Sequence, residues 1–157
     1  MFDILSFLDY FGVKENSDSY KQVMSMYELC TNIDQNKMWN ITEIDSKAEV
    51  NLLMTYLMVF KKETKISVYG RNTAHAYKHR ESVVSIMNAS GVKAEWLKQM
   101  NKHSIEFNSG NTIRFKAANL SNLCGISGDI AFIMEKDLDK EFMRDLNHRF
   151  RQIFIVK

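Results

Sequence analysis

NSGNTIRFKAANLSNLCGISGDIAFIMEK, residues 108–136, decides how the rest of the sequence is read. The stretch opens at the turn of a hairpin and passes through a polar loop with spaced glycines. It ends in a strand that carries Glu135 to its C-terminal end. Residues 129–135 are almost continuously apolar, as a central parallel strand buried on both faces should be. In an α/β sheet that end of a strand is where ligand chemistry collects.

The flanking sequence supplies the other layers. Residues 104–108 and 111–116 set Ile105 and Phe107 against Ile113 and Phe115 around Ser109-Gly110, which predicts the hairpin. After the apolar strand, a helix over 138–150 turns Phe142, Met143, Leu146 and Phe150 inward, and a last strand covers 152–156. Before the hairpin, a short helix over 93–100 presents Trp96 and Leu97. A longer one over 73–89 carries Ala76, Val83, Val84, Ile86 and Met87 inward and His75, Lys78, His79 and Arg80 outward.

Further upstream the spacing predicts a strand over 66–69 closed by Gly70, a charged turn over 61–65 and a buried helix over 46–60. Residues 42–45 read as a polar loop, 37–41 as a short strand and 32–36 as a turn. A helix begins at Asp18 or Ser19, either a good N-cap, and runs to Thr31. Phe2, Ile4, Leu5, Phe7, Leu8 and Phe11 form the stripe of a first helix stopped by Gly12. Strands alternating with helices argue a three-layer, mostly parallel α/β sheet with an appended hairpin.

Composition bounds the function. At 157 residues and 45% hydrophobic, the chain suits one domain with a real core. A net charge of +2 favours no polyelectrolyte partner by itself. Cys30 and Cys124 show no metal-type spacing, which fits a reduced intracellular protein. The longest apolar run, around residues 52–60, is too short to span a bilayer, and acidic Asp3 stands where a signal peptide would be basic. A cytoplasmic protein with no membrane partner is expected.

The order of parts resembles the ATPase domain of tailed-phage terminase large subunits, the motors that pump DNA into capsids, over residues 20–157. In that family a Tyr-Gln element precedes a strand, a Walker A loop of Arg-Gln-x-Gly-Lys-Ser/Thr type, and a long helix ending in an aromatic residue. A strand and helix follow, then a hairpin with a polar-Gly turn, a Leu-Arg-Gly loop and a Walker B strand ending Asp-Glu. The resemblance makes Gln22 the adenine-side glutamine and puts residues 39–41 in the strand before the phosphate loop. Lys47 becomes the Walker A lysine, Leu123-Cys124-Gly125 the loop, and Glu135 the Walker B glutamate. It implies a P-loop NTPase fold in a single domain, 1–157, with a helical region at 1–35 and an α/β core at 36–157.

The departures from that pattern all fall in one place. A phosphate loop uses glycines so that successive backbone N–H groups close around the β-phosphate, with a Lys and a hydroxyl beyond. Thr42-Glu43-Ile44-Asp45-Ser46-Lys47-Ala48 has no glycine, puts Ala48 where the hydroxyl belongs, and adds two acids where polyphosphate charge would sit. A carboxylate about 5 Å from a phosphate oxygen is repelled by roughly 3 kcal/mol at an effective dielectric near 20. Met134 replaces the acid that would help hold Mg²⁺ beside the water-polarising glutamate. Cys124 replaces the loop arginine, and the family's coupling motif and nuclease domain do not follow within the sequence.

The sequence therefore points to a pseudo-ATPase: a phage or phage-satellite protein of the infected host's cytoplasm that keeps the fold as a scaffold. It would need no cofactor and act by binding a packaging, host or defence protein. Two alternatives stay open. One is a nucleotide-binding module of a packaging ATPase, using ATP and Mg²⁺ and completed by a partner chain. The other is a DNA-binding accessory protein whose basic face holds Lys61, Lys62, Lys65, Arg71, Lys78 and Arg80, interleaved with Tyr69 and Tyr77. His75 and His79, four apart, have a spacing that can hold zinc, but no acid or cysteine nearby completes the set, so no metal site is expected. The N-terminal stripe is core or, in part, a contact for a partner.

Overall fold

Seven strands form a single sheet in the computed structural model, which describes residues 3–31, 40–45, 47–61, 63–135 and 137–157. They are β1 (Asn40–Ile44), β2 (Lys65–Gly70), β3 (Leu97–Met100), β4 (Ser104–Phe107), β5 (Thr112–Ala117), β6 (Gly128–Ile133) and β7 (Phe150–Val156). Their order across the sheet is β1-β7-β6-β2-β5-β4-β3. The strands from β1 to β5 in that order are parallel, and β4 and β3 extend the sheet antiparallel.

Two layers of helix explain why β2, β6 and β7 carry apolar residues on both faces. On one face lie α1 (Ile4–Tyr10), α2 (Asp18–Thr31), α3 (Lys47–Phe60) and α4 (Thr73–Ala89), whose buried residues join Ile66, Val68, Ile130, Phe132 and Phe154 in the larger core. On the other, α5 (Lys140–Leu146) and a 3-10 turn at Leu120–Leu123 bury Phe142, Leu146 and Leu123 against Tyr69, Ala131, Ile133 and Ile153. Alternate residues of β6 thus go to alternate cores, as the two-residue period of a strand requires.

Helix α3 is buried nearly all round, from Val50 to Met58, because the sheet, α2 and α4 all pack on it. Helix α1 is too short to stand alone. It docks on the end of α3, where the Phe7 ring lies 5.3 Å from that of Tyr56 and 6.2 Å from that of Phe60. Asp3 caps α1 by accepting from the Ser6 N–H at 2.8 Å, and Gly12 ends it at φ +76°.

Several expectations need correction. Residues 42–44 are strand, not loop, since β1 runs to Ile44 in register with β7; as an edge strand with one neighbour among the described residues, it tolerates a polar sequence. Of the strand expected over 37–41, residues 37–39 lie outside the described residues. Residues 97–100 are strand β3, because pairing with β4 outweighs their helical spacing. Helix α5 stops at Leu146, and Phe150 opens β7 opposite Gly128. His79 points inward and is 7% exposed.

Candidate functional site

The parallel strands deliver their C-terminal ends to one edge: Ile44 from β1, Val156 from β7, Ile133 from β6, Gly70 from β2 and Ala117 from β5. The candidate Walker A strand, β1, and the candidate Walker B strand, β6, flank β7. Two inter-strand spacings put them roughly 10 Å apart. Lys47 and Glu135 are therefore brought to the same edge, on elements either side of β7.

The connection from β1 to α3 is very short. β1 ends at Ile44 and α3 starts at Lys47, leaving only Asp45 and Ser46 between them. A G-x-x-x-x-G-K-S/T loop wraps a phosphate with a run of backbone amides, and two residues cannot supply that run. Lys47 is the first residue of the helix, and its side chain lies outside the description. Ala48 is exposed beside it. The first turn of α3 also carries its own acid, Glu49, whose Oε1 accepts from the Ser19 hydroxyl at 2.5 Å. An acid there is stabilised by the helix dipole that a phosphate would otherwise use.

Glu43 is in β1 and is paired: Lys157 Nζ lies 2.7 Å from its Oε2. The backbone closes the same seam, with the Lys157 N–H donating to the Ile44 carbonyl at 2.8 Å. The hydrogen bond and charge of Glu43, with Asp45 adding to them, raise the Lys157 pKa above the usual lysine value.

At the end of β6, Met134 is 1% exposed and belongs to the larger core. Its N–H donates to the Tyr69 carbonyl at 2.8 Å. Glu135 follows, half-buried, with Oε1 accepting from the Asp137 N–H at 3.1 Å. The position that would hold a metal-binding acid is thus a packed apolar one, and its neighbour closes a local turn.

The remaining candidates are dispersed. Gln22 is half-buried on α2. Among the basic residues, Lys61 and Lys65 lie toward the N-terminal end of β2 and Arg71 just beyond its C-terminal end. Six residues of strand separate these ends by about 20 Å, so the set does not form one patch. Lys78 is exposed on α4, Arg80 Nε donates to the Asn101 carbonyl at 2.9 Å, and Lys62 lies outside the described residues. His75 Nδ1 accepts from the Arg71 N–H at 3.0 Å, and His79 Nδ1 lies 3.2 Å from Asn51 Oδ1. The second contact ties α4 to α3. Cys124 is exposed, whereas burial pushes the Cys30 thiol up to about 12. Among the described residues no helix is long and apolar enough to cross a membrane.

Sequence reading missed two polar residues that organise this fold. Asn111 is buried where β5 begins; its Oδ1 accepts from the Thr64 N–H at 2.8 Å and its Nδ2 donates to the Met58 carbonyl at 2.7 Å and to that of Lys61. Glu49 is the other. In the sequence both look like solvated positions, and only their tertiary partners reveal them.

No protein-family profile and no curated protein matches the chain. Solved structures do. The large terminase of a thermophilic bacteriophage superposes with a TM-score of 0.60 at 13% identity, over 91% of this chain and 39% of that one. The same enzyme in complex with ADP gives 0.59 at 15% identity, over 89% and 38%. The large terminase ATPase domain of Thermus phage P74-26 gives 0.55 at 12% identity, over 89% and 68%. This chain thus spans about two fifths of the length of the first two proteins.

That fold family implies a nucleotide with magnesium, and the residues present do not fit it. Met134 offers no oxygen and Ala48 no hydroxyl, and among the described residues no group of three His, Cys, Asp or Glu side chains is placed to hold an ion. What the likeness shows is the architecture: this chain has the fold of the phage large-terminase ATPase domain, as its order of parts in sequence implied.

Proposed function

We propose that the chain is a phage or phage-satellite protein that uses the terminase ATPase fold as a binding scaffold and does not turn over ATP. The two-residue connection between β1 and α3 carries this reading, because it removes the phosphate cradle whatever Lys47 does. The buried Met134 and the acids Asp45 and Glu49 around the start of α3 support it. A protein partner from the packaging machinery, the host or a defence system is favoured by α1, which leaves Leu5 and Tyr10 51% and 61% exposed. Its setting is the cytoplasm of the infected host.

Thermal unfolding with ATP, with and without Mg²⁺, tests this reading. Ligands that bind the native state raise its stability, so the expected result is no magnesium-dependent rise in Tm. A rise of several degrees overturns it. A second reading, a packaging ATPase module completed by another chain, is favoured by Glu135 standing at the strand end. It requires ATP hydrolysis to appear on adding that partner and to vanish in Glu135→Gln.

A further inference from the structure

The α5 face of β2 and β5 holds a polar cavity well away from the edge discussed above. It is about 140 Å³ and is lined by Lys65, Ser67, Thr112, Arg114, Gly125 and Ser127, on the order of ten times the space one water needs. Lys65 and Ser67 alternate along β2 and Thr112 and Arg114 along β5, in register as Lys65↔Thr112 and Ser67↔Arg114. All four therefore sit on one face of the sheet. The loop carrying Gly125 and Ser127 is held over them by Arg149, whose Nη1 donates to the Ile126 carbonyl at 3.0 Å.

The groups around this cavity are mostly donors. Arg114 is exposed and, among the described residues, forms no ion pair. Ser67 is 5% exposed. Two further polar groups on the same side are buried: the hydroxyl of Tyr69, the next residue on that face of β2 and beside Ser67, and Arg149 Nε, which among the described residues has no hydrogen-bond partner. Burial raises the Tyr69 pKa to about 12, while a hydrogen bond with Ser67 and the positive charges of Arg114 and Arg149 pull the other way. The opposing acids are Asp129, whose Oδ2 accepts from the Lys65 backbone N–H at 2.9 Å, and Asp145, paired with Arg149 at 3.2 Å.

We propose that this cavity binds a tetrahedral oxyanion, a phosphoryl group, with Arg114 presenting its fork of N–H donors, Lys65 a second positive charge, and the hydroxyls of Ser67, Thr112 and Ser127 the remaining hydrogen bonds. Free phosphate and a phosphate monoester share that chemistry. The site lies toward the N-terminal ends of β2 and β5, so it stands or falls independently of the degenerate nucleotide edge.

The test is a titration of the whole chain with inorganic phosphate at constant ionic strength, followed by Tm and by the phosphate ³¹P linewidth, with AMP as a second arm. Phosphate is expected to raise Tm to a plateau and broaden the ³¹P signal, equally with and without Mg²⁺. Arg114→Ala and Lys65→Ala should each weaken binding at least tenfold, while Lys98→Ala, on another strand, leaves it unchanged. AMP binding more tightly than phosphate identifies a monoester as the ligand; equal or weaker AMP binding identifies the free ion. An absent response, or one that survives in both Arg114→Ala and Lys65→Ala, overturns the proposal. Because the linewidth reports binding directly, a change in basal stability does not obscure the outcome.

Discussion

Lys157 reaches across the seam between β7 and β1 to hold Glu43, Nζ to Oε2 at 2.7 Å. The carboxylate that sequence reading set against a polyphosphate is instead answered by a cation from the neighbouring strand. Both side chains remain half or more exposed, at 50% and 60%, so their bond reports on the edge more than it holds the fold together.

Glu43→Gln is therefore expected to lower the Lys157 pKa back toward 10.5, read by NMR titration of its Nζ. The folded value is the raised one, so the pair's contribution to stability is present below pH 10.5 and lost as pH rises through the folded pKa. Asp3 behaves oppositely. The Ser6 N–H lowers its pKa, so the cap of α1 contributes above pH 3.8 and is lost as pH falls through the lowered value.

Restoring the missing acid should not restore a site. Met134→Asp puts a carboxyl into a position that is 1% exposed, removing core volume and burying an unpartnered polar group. Urea unfolding should show a loss of at least about 3 kcal/mol, and Mg²⁺ should not recover it. Recovery of stability by Mg²⁺ would mean that oxygen ligands do converge there.

His79→Ala should cost about 1–3 kcal/mol, because it leaves a cavity and withdraws the partner of buried Asn51. Zinc should leave the Tm of the parent protein unchanged. A zinc-dependent rise that disappears in His75→Ala would instead revive the i, i+4 pair as a metal site.

Gly70→Ala tests how closely α4 approaches the end of β2. A Cβ there would stand 2.5 Å from the Ala76 nitrogen, and backbone cannot swing aside. The expected cost in urea unfolding is about 1–3 kcal/mol. Gly91, with open space around it but φ +79°, should respond only to the backbone term.

What could be read in the sequence was what local chemistry fixes. Asp18 and Thr31 bound α2, and Thr73 and Ala89 bound α4, as predicted, because the period sits within the segment itself; the cap did not follow, since Ser17 Oγ, and not Asp18 or Ser19, accepts from the Tyr20 N–H at 3.2 Å. The apolar run of β6 and the hairpin at Gly110 are likewise self-contained. Leu97–Met100 carries no strand pattern and becomes one only by pairing with β4. Phe150 continues the spacing of Phe142 and Leu146 and so looked helical, yet Gly128 leaves just enough room for its ring on the sheet. At the candidate site, the missing glycines and Met134 were legible. The Glu43–Lys157 pair was not, because its halves lie far apart in the sequence.

The position of β7 has a consequence for how the molecule is made. Among the described residues β1 pairs with β7 alone, Asn40 opposite Gln152, and β7 also fills the gap beside β6. A nascent chain complete through α5 therefore still carries β1 as an orphan and a slot in mid-sheet. Closure of so distant a pairing is slow. Both faces of the sheet consequently stay unsealed until β7 threads between β1 and β6, because its Phe154 and Val156 close one core and its Phe150 and Ile153 the other, which makes β7 the latch of the fold.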